Sequence, residues 1–320
     1  MKPIPVIFDC DPGHDDAIAL IAALASDKLD VRGVTTVCGN SSVDNTTRNA
    51  LKVLELAGRA DIPVAKGAAR PIMGEARTGA NVHGESGMEG PVLPEPGAPP
   101  SPLSAVALME KIVSESGGPV TIIITGPCTN VAAFFLSRPD LKAKIARVSI
   151  MGGGYLEGNR TAVAEFNIWH DPEAAQIVMS SGVPIDLYGL DVTHKALILK
   201  EETALFRGQG DDISAFVADL LDFFAVYYTG RGALAGCPMH DSCAVAGLIE
   251  PRMFTFEHCS MEVDLYGRLS RGGVALDLRV EPRRDYPYNG RVALDVDRPG
   301  FLALLLDSCQ KLARRKEAAQ

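Results

Sequence analysis

Four aspartates fall within eight residues, Asp9, Asp11, Asp15 and Asp16, in the stretch VIFDCDPGHDDAIAL. The apolar run before them reads as a buried strand over 4–9, and the pattern after them as an amphipathic helix over 15–26. The acids therefore sit at a strand-to-helix turn. One or two carboxylates, such as Asp15 and Asp16, suit the positive end of a helix. Four do not, because so many like charges around a Pro-Gly turn are costly unless a cation lies among them. The stretch predicts a hard-metal site at the carboxyl end of the first strand; the plainer alternative is a solvated acidic turn.

The rest of the chain continues the rhythm. Residues 31–37 read as a strand, and Val43 to Ala57 as a helix stopped by Gly58. Short branched strands follow at 120–125 (VTIIIT), 147–151 (RVSIM) and 184–190 (PIDLYGL). Asp171-Pro172-Glu173 is a helix start, with Asp as N-cap and Pro at the first helical position. Strands separated by helices predict an α/β fold: an open, mostly parallel, Rossmann-like sheet flanked by helices. Late strands at 254–265, 274–280 and 291–296 add a small antiparallel C-terminal extension, and 299–315 a closing helix. Two irregular zones interrupt the pattern, 67–102 and 229–241, and stretches of this kind usually carry function or mobility. With no repeat and no linker, one domain over 1–320 is expected.

Composition narrows the function classes. A net charge of −9 argues against nucleic acid or an anionic membrane as the main partner, since both need a basic footprint. No apolar run approaches the length of a membrane span, and MKPIPVIFD lacks the apolar centre of a signal peptide. The seven cysteines are scattered without a CxxC pair, which disfavours thiol zinc sites and a disulfide framework. A reduced cytoplasm is the expected compartment.

In open parallel α/β sheets, ligands bind outside the carboxyl ends of the strands. Four polar clusters follow strands directly: DCDPGHDD, CGN (38–40), GPCTN (126–130) and MGGG (151–154). All are expected to face one crevice. Oxygen-rich sites select hard cations, and Asp11 and Asp16 flank the turn so that both could reach one ion. A further acid must close the site. Asp241, in His240-Asp241 at the start of a helix over 241–249, is the best candidate, and an N-cap role for it stays open.

Taken in order, DCDPGHDD, CGN, VHGESGM, GPCTN, IMGGG, GNRTAVAEFNI, DPEAA and PMHD resemble the nucleoside hydrolase family, from residue 6 to about 250. The resemblance implies a calcium-dependent enzyme that cleaves the N-glycosidic bond of a ribonucleoside to ribose and free base, acting in nucleoside salvage as a homodimer or homotetramer. It implies Asp11 as a Ca²⁺ ligand and as the base that activates the metal-bound water. Asp16, Asp241 and the backbone carbonyl of Thr125 are implied as the other ligands. Asp15, Asn40 and Asn167 match positions that hold the ribose hydroxyls. Asn159 and Glu165 match positions near the 5′ end, and Met151 and Phe166 line the sugar pocket. His240 is the implied acid for the leaving base, and His83 lies near that base. Asp9 would orient the turn. His14 is expected only to pack or to be solvated; Tyr227 and Tyr228 could touch the base, but aromatics on such a helix are more often core.

The chemistry accounts for these residue types. Positive charge develops on the ribose ring as the bond breaks, and surrounding carboxylates and amide oxygens stabilise it more than they stabilise the neutral substrate. Without the resemblance, Glu165-Phe166-Asn167 reads as a loop entering a capped helix, and GPCTN as a turn with Thr129 as cap. Two rival functions remain. A haloacid dehalogenase-type phosphatase would use Asp9 as nucleophile with Mg²⁺, although Gly13 stands where that pattern places Thr or Val. A calcium-stabilised protein could also hold a nucleoside without turning it over.

Overall fold

The computed structural model describes residues 2–230, 234–279 and 287–319. Residues 231–233, inside the irregular zone 229–241, and Val280, at the end of the strand expected over 274–280, lie outside the described residues. The strands are β1 (Ile4–Cys10), β2 (Leu29–Thr36), β3 (Val64–Lys66), β4 (Val120–Ile124), β5 (Ile145–Met151) and β6 (Ile185–Tyr188). They continue with β7 (Leu197–Leu199), β8 (Gly236–Pro238), β9 (Phe254–Val263), β10 (Val274–Asp277) and β11 (Gly290–Val296).

Nine strands form one sheet in the order β3-β2-β1-β4-β5-β6-β11-β9-β10. It is parallel from β3 to β11. The expected C-terminal extension is present: β9 runs antiparallel to β11, and β10 antiparallel to β9. It is continuous with the main sheet because β11 pairs in parallel with β6. The small antiparallel pair β7–β8 was not expected from sequence. The strand over 184–190 stops at Tyr188, because Gly189 turns the chain into a helical turn at Leu190–Thr193.

Period-two alternation places neighbouring residues on opposite faces of the sheet. Phe8 joins one buried cluster, with the helices His14–Ala25, Asp212–Gly230, His240–Ile249 and Arg298–Ala319. Ile7 joins the other, with Ala105–Glu115, Thr129–Ser137 and Pro172–Met179. The helix His14–Ala25 is buried at every position, which its IALIAALA run requires. The expected stop of the helix Val43–Leu56 is present, with Gly58 at φ +68°. Asp171 caps Pro172–Met179, accepting from the backbone N–H of Ala174 at 3.1 Å. All seven cysteines are free and buried. Among the described residues, no helix is long and apolar enough to cross a membrane.

Chain order sets where a ligand can bind. From β1 the chain moves outward through β2 and β3, then returns to the other side of β1 as β4. The strand order reverses between β1 and β4, so the crevice for a ligand lies at their carboxyl ends. That end of the sheet holds Asp11 and Thr125.

Asp186 of β6 ties three strands together. It accepts from Arg147 of β5 at 2.7 Å and from Arg291 of β11 at 2.7 and 2.9 Å. Asp186→Ala is expected to cost about 2 kcal/mol in urea unfolding, because two guanidinium groups lose a buried acceptor while keeping partial access to water. An unchanged midpoint and slope would show that these ties contribute nothing.

Candidate active site

The turn after β1 is built around Asp16. Its Oδ2 accepts from the backbone N–H of Gly13 at 3.1 Å and the side-chain amide of Asn40 at 3.0 Å. Its Oδ1 accepts from the Thr125 hydroxyl at 2.7 Å. One carboxylate thus links the β1, β2 and β4 loop ends. Asp11 lies within this frame, fully buried. Its Oδ2 accepts from the backbone N–H of Asn40 at 2.7 Å, while its Oδ1 is buried with no hydrogen-bond partner. Asp9 lies deeper, accepting from Thr35 at 2.6 Å and Asn130 at 2.8 Å through one oxygen.

Asp241 reaches this turn from the far end of the chain. It sits in the first turn of His240–Ile249 and is not its cap, since Met239 holds that place. Carboxylate oxygens of Asp15, Asp16 and Asp241 lie within 4.8 Å of one another, and this group could hold a metal ion; it includes Asp15, expected to bind ribose, and does not include Asp11, expected as a ligand. Burial pushes Asp15 up to about 8, and the charge of Asp16 adds to the effect. Asp11 is raised well above the usual carboxylate range, by burial first and the charge of Asp16 second. Asp241 is raised likewise, by burial and then by Asp15 and Asp16. Among the described residues, no Lys or Arg forms an ion pair with any of these acids. Every donor atom is an oxygen, one of them has no partner, and the negative charge is uncompensated. The residues fit a hard divalent cation.

The fit around Asp11 leaves no slack. A Cβ on Gly39 would stand 2.0 Å from Asp11 Oδ2, so only glycine lets the CGN turn close on that carboxylate. Gly39→Ala is expected to lower kcat about a hundredfold by displacing Asp11, with far-UV circular dichroism unchanged. Wild-type kcat would show that the turn can move aside.

A cavity of about 450 Å³ opens above the cluster. Asp15, Thr125 and Asp241 line it from the acidic side, and Asp11 and Asp16 lie behind that lining, fully buried. Asn40, Met151, Asn159, Glu165, Phe166 and Asn167 also line it. Residues 165–167 enter a capped helix, as the loop reading expects, and all three line the cavity. Glu165 caps the short helix Phe166–His170, accepting from Asn167 N–H at 2.9 Å, and it accepts from Gly153 N–H at 3.0 Å. Burial raises Glu165 to about 7. The Asn167 amide donates to the Thr125 carbonyl at 2.7 Å, and Asn159 accepts from Phe166 N–H at 2.9 Å. Thr129 is not a cap; its hydroxyl donates to Asp171 at 2.7 Å.

His83 and His240 also line the cavity, as do aromatic residues and the charged or titratable side chains of Glu157, Arg160 and His194. His240 lies between the Thr193 hydroxyl, 2.7 Å from Nδ1, and the Tyr228 hydroxyl, 3.2 Å from Nε2. Burial, with a smaller contribution from His194, holds His240 down at about 3. Phe224, Tyr227 and Tyr228 all line the cavity, so Tyr227 and Tyr228 are not simply core. Their spacing at i, i+3 and i+4 was the available signal, because it puts three aromatics on one helix face. Thr193 left no signal, since its contact to His240 joins positions distant in sequence.

A cavity of this size and lining takes a small molecule with polar and flat parts. The model of the inosine-uridine preferring nucleoside hydrolase family matches residues 6–303, and the chain belongs to that family. A pyrimidine-specific ribonucleoside hydrolase, RihA, of Citrobacter koseri is 49% identical over 305 residues, which cover 95% of this chain and 97% of that protein. A purine-preferring ribonucleoside hydrolase from Gardnerella vaginalis superposes with a TM-score of 0.90 at 33% identity, over 97% of this chain and 99% of that one. A plant nucleoside hydrolase, PpNRh1, gives a TM-score of 0.89 at 30% identity, over 96% and 99%. Membership makes the protein a ribonucleoside hydrolase that cleaves N-glycosidic bonds. It also sets the phosphatase reading aside, in keeping with the burial of Asp9, whose proposed nucleophilic carboxylate is bound by Thr35 and Asn130.

Proposed function

We propose that the protein hydrolyses pyrimidine ribonucleosides with Ca²⁺ bound among its buried acids, and that Asp11 is the base that takes the proton from the attacking water. The observation that carries this reading is the buried, partnerless Oδ1 of Asp11, behind the cavity lining and next to the uncompensated cluster of Asp15, Asp16 and Asp241. Asp11, Asp16, Asp241 and the Thr125 carbonyl would hold the ion. Bound there, Ca²⁺ would supply positive charge that makes water easier to deprotonate and that grips the ribose hydroxyls.

The chain's own residues do the rest. Asn40 N–H holds one oxygen of Asp11, which keeps the other aimed and free to accept a proton. Asp15, Asn40 and Asn167 are proposed to bind the ribose hydroxyls, and Asn159 and Glu165 the 5′ end. Met151 and Phe166 cover the sugar and exclude bulk water from the developing positive charge. His240 is proposed to protonate the departing base. Its ring is neutral at pH 7; with Nδ1 accepting from the Thr193 hydroxyl, Nε2 carries the N–H and gives up its proton on the side that faces Tyr228. Removing His240 should therefore cost less rate than removing Asp11.

The pyrimidine preference rests on the 49% identity to a pyrimidine-specific relative. Work in nucleoside salvage in the cytoplasm, as a dimer or tetramer of one domain, belongs to the same reading and rests on family likeness. Measured kcat/KM for uridine and cytidine is expected to exceed that for inosine and adenosine at least about tenfold. Equal values, or a purine excess, would remove the preference. Binding of every nucleoside without release of any base would instead favour the passive calcium-stabilised protein.

A further inference from the structure

His14 is neither on the cavity lining nor in solvent. Its ring stacks against two phenylalanines, 4.9 Å from Phe223 at 4° and 5.3 Å from Phe224 at 7°. Nε2 lies 2.7 Å from the backbone carbonyl of Glu89, an atom that can only accept. Nδ1 faces Nδ1 of His83 at 3.1 Å, and the His14 backbone N–H lies 3.4 Å from the same nitrogen. A Cβ on Gly13 would stand 2.5 Å from that nitrogen, so the acidic turn is shaped to let His83 press directly against it.

These contacts hold His83 by one edge only. Its Nδ1 side is occupied by His14, whereas Nε2 makes no hydrogen bond among the described residues, and His83 lines the cavity. The ring also packs 5.5 Å from Phe224, which packs 4.9 Å from Tyr228, the partner of His240. A continuous row of rings thus runs from His14 to His240. Its first ring is pinned to the loop at Glu89 and to the helix Asp212–Gly230.

We infer that His14 is a positioning residue for the nucleobase subsite: it fixes the His83 ring so that the free Nε2 edge stays available to the base, without touching substrate itself. The inference rests on the reading of the cavity as a ribonucleoside site. Only the base side depends on this clamp. The ribose side is built by Asn40, Asn167 and the acids, through bonds that do not pass through His83.

A leaving group that needs no hydrogen bond separates the two sides. The protein, His14→Phe, which keeps the ring stack, and His14→Asn, which keeps a polar group, would each be assayed with uridine and with p-nitrophenyl riboside. Either variant is expected to lose about tenfold or more in kcat/KM on uridine, mainly through KM, and less than about threefold on p-nitrophenyl riboside. In a His83→Ala background, the same His14 substitution should add no further loss. Equal losses on both substrates, an undiminished uridine rate, or a further loss in the His83→Ala background would overturn the inference. If the unaltered protein cleaves neither substrate, the hydrolase reading beneath it fails instead.

Discussion

Asp11→Asn is expected to lower kcat at least about a thousandfold while leaving the fold intact. Asparagine keeps the shape and can still accept from Asn40 N–H, so packing around the turn is preserved. What is lost is the base and one negative charge. Four acids, Asp11, Asp15, Asp16 and Asp241, raise one another's pKa or are raised by burial. Removing one relieves repulsion in the metal-free protein, so its stability should be equal or higher in urea. Lost activity with retained or increased stability is the signature of a site strained for function. Base release from uridine, followed by chromatography, is the check; undiminished turnover would rule out Asp11 as the base.

Asp241→Asn is expected to weaken Ca²⁺ binding a hundredfold or more by calorimetry and to remove turnover at ordinary calcium concentrations. Asp241 is the acid that comes to the cluster from a different element, the helix His240–Ile249, whereas Asp15 and Asp16 share one helix. Without it the cluster is open on one side. Excess Ca²⁺ should then restore part of the rate, because Asp11 is still present. If affinity is unchanged, the ion, should one bind, is held without Asp241.

The sheet was legible because its strands are short, branched and apolar, a pattern that parallel sheets buried on both faces impose. Strand ends moved by a few residues where glycine decided them, as at Gly189. The acidic turn was legible for an electrostatic reason: four carboxylates in eight residues have few uses. The pair β7–β8 was not, since two three-residue strands carry too little pattern to be seen in sequence. Nor was the base side of the cavity. His14 was expected to pack or be solvated; it packs, fully buried, and also holds His83, and that contact spans 69 positions. Tyr228 meets His240 across a connection whose residues 231–233 lie outside the described set. Such contacts follow from the fold and leave no local trace.

The most direct measurement of the central claim is base release from uridine by protein stripped of divalent ions with a chelator, dialysed, and then supplied with Ca²⁺. The account predicts no measurable release from the stripped protein and recovery on adding Ca²⁺, with no recovery in Asp11→Asn. Full turnover by the stripped protein would contradict it, because the buried acids would then be performing the hydrolysis without the cation they are proposed to gather.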